Sequence, residues 1–328
     1  MILLTGATGL TGSHLALHLL ETGRPLRAIY RDDETIARAK KLFAFYRKPE
    51  LFNEIEWVRA DINDVPSLEP AFKDIDYVYH AAALISFNPA DEEKLRKANI
   101  EGTANIVNCC LDFGVKKLVH ISSIAALGDP LDGQTKVDEE TDWNPEKPHS
   151  DYAISKYGAE MEVWRGQQEG LDVVVVNPGI IVGPPFWETG SSAMYKMIAD
   201  GQKFYTLGTM GFVGAYDVAK IGVLLMDSDI SGERFILSAG DYLYRDVFTM
   251  AAKAMRKKPP TIYAKPWMTS IGWRVDRFFS LFGKRRTLTH DQARSLHEKI
   301  SYPNDKIVAA LGYRFTDIAD VFKEIFPE

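Results

Sequence analysis

Tyr152 and Lys156 stand four residues apart, so a helix through them sets a phenol and an ammonium on one face. Y-x-x-x-K alone is common by chance. Here it follows an apolar run, Leu118-Val119-His120-Ile121, which ends in Ser122-Ser123 and delivers a hydroxyl to the same edge of a sheet. A free tyrosine titrates at about pH 10 and exchanges protons poorly at neutrality. A neighbouring ammonium favours the phenolate, so Lys156 is expected to tune Tyr152 as an acid–base group, with Ser123 hydrogen-bonding a substrate oxygen.

Such a set needs a redox or carbonyl partner, and the N-terminus offers a place for one. Thr5-Gly6-Ala7-Thr8-Gly9-Leu10-Thr11-Gly12 follows the first apolar run and opens an amphipathic stretch from Ser13 to Leu20. Gly6 would permit a tight turn, Gly9 would let backbone N–H groups approach a pyrophosphate, and Gly12 would let helix and strand pack closely. The spacing is G-x-x-G-x-x-G, with Thr8 and Leu10 filling the turn. The second run, Leu26–Tyr30, ends in Arg31 where an NAD enzyme usually places a carboxylate against the ribose. A guanidinium suits a 2′-phosphate, so NADP(H) is favoured over NAD(H), against a reading in which Arg31 is merely neutralised by Asp32 and Asp33. Asp61 and Ile62 are placed to meet the adenine, and Ala81, Ala82 and Ala83 are small enough for close approach of a cofactor.

The elements that must position these groups alternate in the first half of the chain. Short apolar runs at Ile2–Leu4, Leu26–Tyr30, Ile55–Arg59, Tyr77–His80, Leu118–Ile121 and Val173–Asn177 are separated by amphipathic stretches. Runs apolar on both faces suit parallel strands, and the stretches between supply crossovers. The expected fold is α/β, a doubly wound parallel Rossmann sheet with a smaller, mostly C-terminal substrate domain. The division read from the pattern is 1–180 with 212–240 for the dinucleotide-binding domain, and 181–211 with 241–328 for the substrate domain. The smaller domain should sit over the carboxyl ends of the strands, where open α/β sheets bind ligands.

Taken together, these residues resemble the extended short-chain dehydrogenase/reductases, the NAD(P)-dependent epimerase/dehydratase superfamily. The likeness is carried in one order by Thr5–Gly12, Asp61, His80–Ala83, Asn99-Ile100-Glu101-Gly102-Thr103, Ser122-Ser123, Tyr152–Lys156, Asn177-Pro178-Gly179 and Asp217-Val218-Ala219. Dehydratases of the family carry an acidic pair after the catalytic serine or threonine, whereas Ile124-Ala125-Ala126 follow Ser123 here. Arg31 and the run Val176–Pro184 resemble the dihydroflavonol reductase and cinnamoyl-CoA reductase branch. The resemblance implies Ser123, Tyr152 and Lys156 as the catalytic set, with Pro178, Gly179 and Ile181 joining the turn residues around the cofactor. It also implies a small-molecule substrate and a homodimer.

The reaction expected is NADP(H)-dependent reduction of a ketone or aldehyde on a small hydrophobic or ring-containing molecule, with Tyr152 as proton donor. Epimerisation of a nucleotide sugar with tightly held NAD is the second reading, and a non-catalytic dinucleotide sensor the third. Residues 205–214 hold no lysine or arginine for a substrate pyrophosphate, although Arg245, Arg256 or Arg274 could fold in. Ile180-Ile181-Val182 would offer an apolar rim.

Composition excludes other classes. A formal charge of -6 argues against broad binding to nucleic acid. Cys109 and Cys110 are neighbours, poorly placed for a disulfide and too few for zinc. No run approaches the roughly 20 apolar residues that span a bilayer, and Met1 leads at once into Ile2-Leu3-Leu4 without room for a signal peptide. A cytoplasmic protein with no metal is expected. His14 and His18 share a helix face but lack a third ligand. His80 reads as a satisfied strand-end residue, and Asp217 as part of a helix start packing on the sheet. Trp267, Met268, Ile271, Val275, Phe278, Phe279 and Phe282 recur at helical spacing before Lys284-Arg285-Arg286. Burial of that face is favoured over a lid or a membrane surface.

Overall fold

The computed structural model describes residues 1–131, 133–184, 193–280 and 288–327. The strands are β1 (Ile2–Thr5), β2 (Leu26–Tyr30), β3 (Glu56–Arg59), β4 (Tyr77–His80), β5 (Lys117–Ile121) and β6 (Asp172–Pro178), then β7 (Ile180–Val182), β8 (Phe204–Tyr205), β9 (Thr209–Gly214), β10 (Glu233–Leu237), β11 (Gly240–Leu243) and β12 (Ile262–Tyr263). The helices of the first half are α1 (Leu10–Glu21), α2 (Asp33–Phe45), α3 (Val65–Phe72), α4 (Glu92–Leu95), α5 (Gly102–Asp112) and α6 (Asp151–Gln168). Those of the second are α7 (Ala193–Ala199), α8 (Ala215–Asp227), α9 (Tyr244–Ala254), α10 (Pro266–Ser280), α11 (His290–Ser295), α12 (Asp305–Leu311) and α13 (Ile318–Ile325).

Seven parallel strands form the central sheet in the order β10-β6-β5-β4-β1-β2-β3. The doubly wound sheet read from the alternation of apolar runs is therefore present. Period-two alternation splits the core between its faces. Leu4, Val174 and Val176 pack with α1, α2 and α8 residues, while Leu3, Val173 and Val175 pack with α3, α5 and α6. Each fully buried aliphatic side chain contributes about 1.5–3 kcal/mol, and the sheet is held as a rigid platform by dozens of them.

The strand order reverses between β1 and β4, the place where such sheets open a crevice at their carboxyl ends. A separate three-stranded sheet, β11-β9-β7, has its own core of Val182, Tyr195, Phe212, Val247 and Phe322. The division read between 211 and 212 falls inside β9. Asp217 ties the C-terminal segment to the sheet: Tyr313 Oη donates to it at 2.7 Å and the Thr316 N–H at 2.9 Å.

Two expectations are corrected here. Val182, read as part of an apolar rim, is buried in the small core, and Ile180 packs partly against it. The apolar face of 267–280 is exposed rather than buried: Trp267 is 61% and Ile271 52% accessible. Its polar and small residues make the contacts to the body instead. Phe282 and Lys284-Arg285-Arg286 lie outside the described residues, as does the Ser191 start of the helix read at 191–201.

Candidate active site

The turn after β1 brings backbone into contact that no side chain could share. Gly6 has φ +72°, and a Cβ there would sit 2.5 Å from the carbonyl carbon of Ala81. A Cβ at Gly12 would sit 2.1 Å from the Gly6 carbonyl oxygen. Both positions thus demand glycine, one for conformation and close approach, the other for close approach alone. Gly9 is the N-cap of α1, and it donates its N–H to the Gly6 carbonyl at 2.9 Å. No side chain caps α1 and no acid stands in its first turn, so the positive end of the helix and the N–H groups around Leu10 face outward for an anion. Thr8 is partly accessible beside them. These features fit a dinucleotide pyrophosphate.

Behind the turn runs a chain of hydroxyls and imidazole. The Ala82 N–H donates to Thr5 Oγ1 at 3.2 Å, and Thr5 lies 2.6 Å from His80 Nδ1. With Thr5 accepting from Ala82 and donating to His80, the imidazole carries its proton on Nε2 and donates to Thr103 at 2.9 Å. Burial depresses the His80 pKa to about 3, helped by the nearby Lys156 charge. His80 is a fixed strand-end residue that holds Ala81, Ala82 and Ala83 beside Gly6, as its position suggested.

At the end of β2, Arg31 is exposed and its Nε donates to Asp32 at 3.2 Å. An exposed pair of this kind is worth little, so the guanidinium stays available to a stronger anion. Asp61 closes an Asx turn, its Oδ1 accepting the Asn63 N–H at 2.9 Å, while the Ile62 carbonyl accepts from Asn105. Pro178 is buried at the end of β6. Gly179 donates to the Leu237 carbonyl, and a Cβ on it would meet the Gly211 carbonyl at 2.3 Å. Ile181 packs against the main core.

Ser123, Tyr152 and Lys156 converge at the ends of β5 and in the first turns of α6. Ser150 caps α6, accepting the Ala153 N–H. Ser123 lies just past β5, its hydroxyl accepting the Ala125 N–H at 3.1 Å. The Tyr152 ring meets Phe87 edge-on at 5.5 Å. Desolvation raises the Tyr152 pKa above the ordinary phenol value, and a hydrogen bond with Ser123 opposes the rise. Burial, more than any neighbouring charge, thus sets the direction of the Tyr152 shift. Lys156 is buried, with Nζ donating to the Ile121 carbonyl at 3.0 Å. Burial brings its pKa down to about 8, against the pull of Glu160.

Glu160 is the residue the sequence reading passed over. One turn beyond Lys156 and fully buried, its carboxylate accepts from Ser122 at 2.7 Å, Asn177 at 2.9 Å and Arg234 at 3.2 Å. It therefore ties α6 to the residue after β5, to β6 and to β10, one turn along from Lys156. Its continuation of the period, Tyr152, Lys156, Glu160, was the available signal. Asn99 performs a second clamp from a π-helical turn, Arg96–Glu101. Its side chain accepts the Leu84 N–H at 2.7 Å and donates to Ser155 at 2.9 Å, linking the segment after β4 to α6.

The histidines of α1 are occupied otherwise. His14 Nδ1 lies 2.7 Å from the Leu10 carbonyl and Nε2 3.2 Å from Tyr46, while His18 lies 3.6 Å from Glu21.

Residues 2–238 match the NAD dependent epimerase/dehydratase family. The chain is 31% identical over 240 residues to sterol demethylase protein B of Methylococcus capsulatus, covering 72% of this chain and 69% of that one. It is 28% identical over 319 residues to a putative dihydroflavonol 4-reductase of Synechocystis, covering 94% and 88%. The crystal structure of gox2253 superposes with a TM-score of 0.82 at 31% identity, covering 99% of this chain and 96% of that one. The same fold recurs at 21% identity in Bordetella bronchiseptica WbmH with NAD+ (TM-score 0.74, 98% and 95% covered). It recurs again at 19% identity in yeast methylglyoxal/isovaleraldehyde reductase Gre2 with NADPH (TM-score 0.73, 99% and 96% covered). This chain belongs to the NAD-dependent epimerase/dehydratase family, among the extended short-chain dehydrogenase/reductases, and is an NAD(P)-dependent oxidoreductase.

Proposed function

We propose that this protein reduces a ketone or aldehyde on a small hydrophobic or ring-containing molecule, with NADPH as the reductant and Tyr152 as the proton donor. The observation that carries this reading is Tyr152 hydrogen-bonded with Ser123 and one helical turn from a buried Lys156, at the same sheet edge as the glycine turn. When bound, the dinucleotide supplies hydride to the carbonyl carbon. Gly6, Thr8, Gly9, Leu10 and Gly12 would hold its pyrophosphate, Arg31 its 2′-phosphate, Asp61 and Ile62 its adenine, and Ala81 to Ala83 with Pro178, Gly179 and Ile181 its nicotinamide half.

The chain's own residues then have three tasks. Ser123 donates a hydrogen bond to the carbonyl oxygen and orients the carbon. Tyr152 gives its proton to that oxygen as the alcohol forms, and its phenolate is the conjugate base left behind. Lys156, charged below about pH 8, stabilises that phenolate, a role its ordinary pKa would not confine to the neutral range. Residues 181–211 and 241–328 would shape the substrate side.

Reduction is favoured over epimerisation by Arg31, since NADPH is a consumable donor whereas an epimerase starts from the oxidised form and regenerates it each cycle. The reductase name of the Synechocystis relative and the sterol named for the Methylococcus relative support an apolar, ring-containing substrate. The test is to purify the protein without added cofactor, release what it retains, and screen NADPH oxidation against aldehydes, ketones and dihydroflavonols. Little bound dinucleotide, with NADPH consumed only when a carbonyl is supplied, is expected. Stoichiometric NAD+ together with turnover of a nucleotide sugar would overturn it.

A further inference from the structure

Helix α10 packs with the wrong side by ordinary measures. Its inner face is Thr269, Gly272, Trp273 and Asp276, at the i, i+3, i+4, i+7 spacing of a packed helix. Thr269 Oγ1 lies 2.9 Å from His297 Nε2, Leu288 approaches Gly272, the Trp273 ring meets His290 at 5.3 Å, and Asp276 accepts the Leu288 N–H at 3.1 Å. The opposite face carries Trp267, Ile271 and Val275, with accessibilities of 61%, 52% and 48%. Phe278, in ring contact with Phe279, continues the same stripe at 56%. A soluble protein that turned this helix by half a revolution would bury Trp267, Ile271 and Val275, so the observed orientation calls for another apolar medium.

We propose that α10 docks this protein on an anionic membrane surface, its apolar stripe entering the boundary between headgroups and acyl chains. Charge complementarity selects the occupant. Arg277 is exposed beside the stripe, where its stem can lie along the apolar boundary with the guanidinium at phosphate level, and Arg274, also exposed, holds its guanidinium 4.8 Å over the Trp273 ring. Residues 265–280 hold three basic residues, Lys265, Arg274 and Arg277, and one acid, in a chain whose net charge is -6. That acid, Asp276, is turned inward onto Leu288. A lid over the protein's own site would need the stripe on the inner face, which α11 already occupies. A two-fold pairing with a second copy would bring Arg274 and Arg277 towards their own counterparts. Membrane docking leaves the cations facing anions.

The experiment is co-sedimentation of the full protein with phosphatidylcholine vesicles prepared with and without phosphatidylglycerol, at low and high salt. Binding is expected only with phosphatidylglycerol, weakened by salt. Trp267→Ser combined with Ile271→Ser should weaken it roughly a hundredfold while circular dichroism stays unchanged, because two apolar insertions are lost. Arg274→Gln and Arg277→Gln should each weaken it about fivefold. Absence of vesicle binding, or equal binding by the Trp267→Ser/Ile271→Ser variant, would overturn the proposal. So would a dimer on size-exclusion chromatography that these substitutions dissociate, without any vesicle binding, since the stripe would then be a self-interface.

Discussion

Helix α6 turns Lys156 and Glu160 into the core, whereas helix α10 turns Trp267, Ile271 and Val275 out to solvent. Each inverts the usual distribution, and the physical consequences differ. A buried charge is costly unless it is paired and hydrogen-bonded. Accordingly Glu160 is met by Ser122, Asn177, Arg234 and Trp164. An exposed apolar side chain costs the fold little and only forgoes a gain. Nothing among the described residues has to compensate for α10, and nothing does. The charged inversion is woven into the fold and the apolar one is laid on it, so damage to the first should reach stability and chemistry together, and damage to the second only association.

That contrast can be broken most sharply at the reactive face. Tyr152→Phe should lower carbonyl-dependent NADPH turnover by roughly 10²–10⁴-fold, the range of general acid–base groups, with the fold and cofactor affinity near normal. Steady-state kinetics on the substrate found by screening measures it, and full turnover would remove Tyr152 from the mechanism. Glu160→Ala leaves Arg234 and three neutral donors without their acceptor, so urea unfolding should show a loss of about 3–5 kcal/mol. A loss within error of zero would mean that the buried carboxylate holds nothing in place.

Arg31→Ala should reduce the preference for NADP(H) over NAD(H) by about 1.5–3 kcal/mol, one charge-assisted phosphate contact, read by titration with both cofactors. Equal affinities in the unaltered protein would end the claim. The pH dependence follows from Lys156, whose folded pKa is about 8, below its unfolded value. The ammonium is present below about pH 8 and lost above it, so kcat/KM for reduction should fall as pH rises through that value, by about tenfold per unit at most. Linkage gives a second, opposite sign. Between about pH 8 and 10 the unfolded chain binds more protons at this lysine than the folded one, so its contribution to stability rises with pH. A flat rate profile across that window would detach Lys156 from the reaction.

The smallest effect is expected on α10. Ile271→Ser should change unfolding free energy by no more than about 0.5 kcal/mol, as for other exposed positions away from special features. A larger loss would show that the stripe is covered within the fold, and the contrast with α6 would collapse.

Much of the first region was legible in the chain itself. Tyr152, Lys156 and Ser123 were found by spacing, because a helical turn and a strand end are local geometry. Gly6 and Gly12 were found because the close approaches they permit are a property of the strand-turn-helix unit. Glu160 is one turn further along the same face, yet its value depends on partners drawn from β5, β6 and β10, which no local pattern brings together. The same limit explains the phenol: the spacing of Tyr152 and Lys156 is local, but the desolvation that raises the Tyr152 pKa is made by residues distant in the chain.

For α10 the amphipathic period was written in the sequence and its direction was not. Hydrophobic spacing specifies that one face is apolar, and says nothing about which face meets the body. That was decided by Thr269, Trp273 and Asp276 finding partners in His297, His290 and Leu288, on α11 and on either side of it. The amino-acid sequence alone thus determined the doubly wound sheet, the glycine turn and the spacing of Ser123, Tyr152 and Lys156, since each rests on contacts within one or two consecutive elements. Only the tertiary structure decided the desolvation of Tyr152, the anchoring by Glu160 and the outward stripe of α10, because burial and partnership are set by elements distant in the chain.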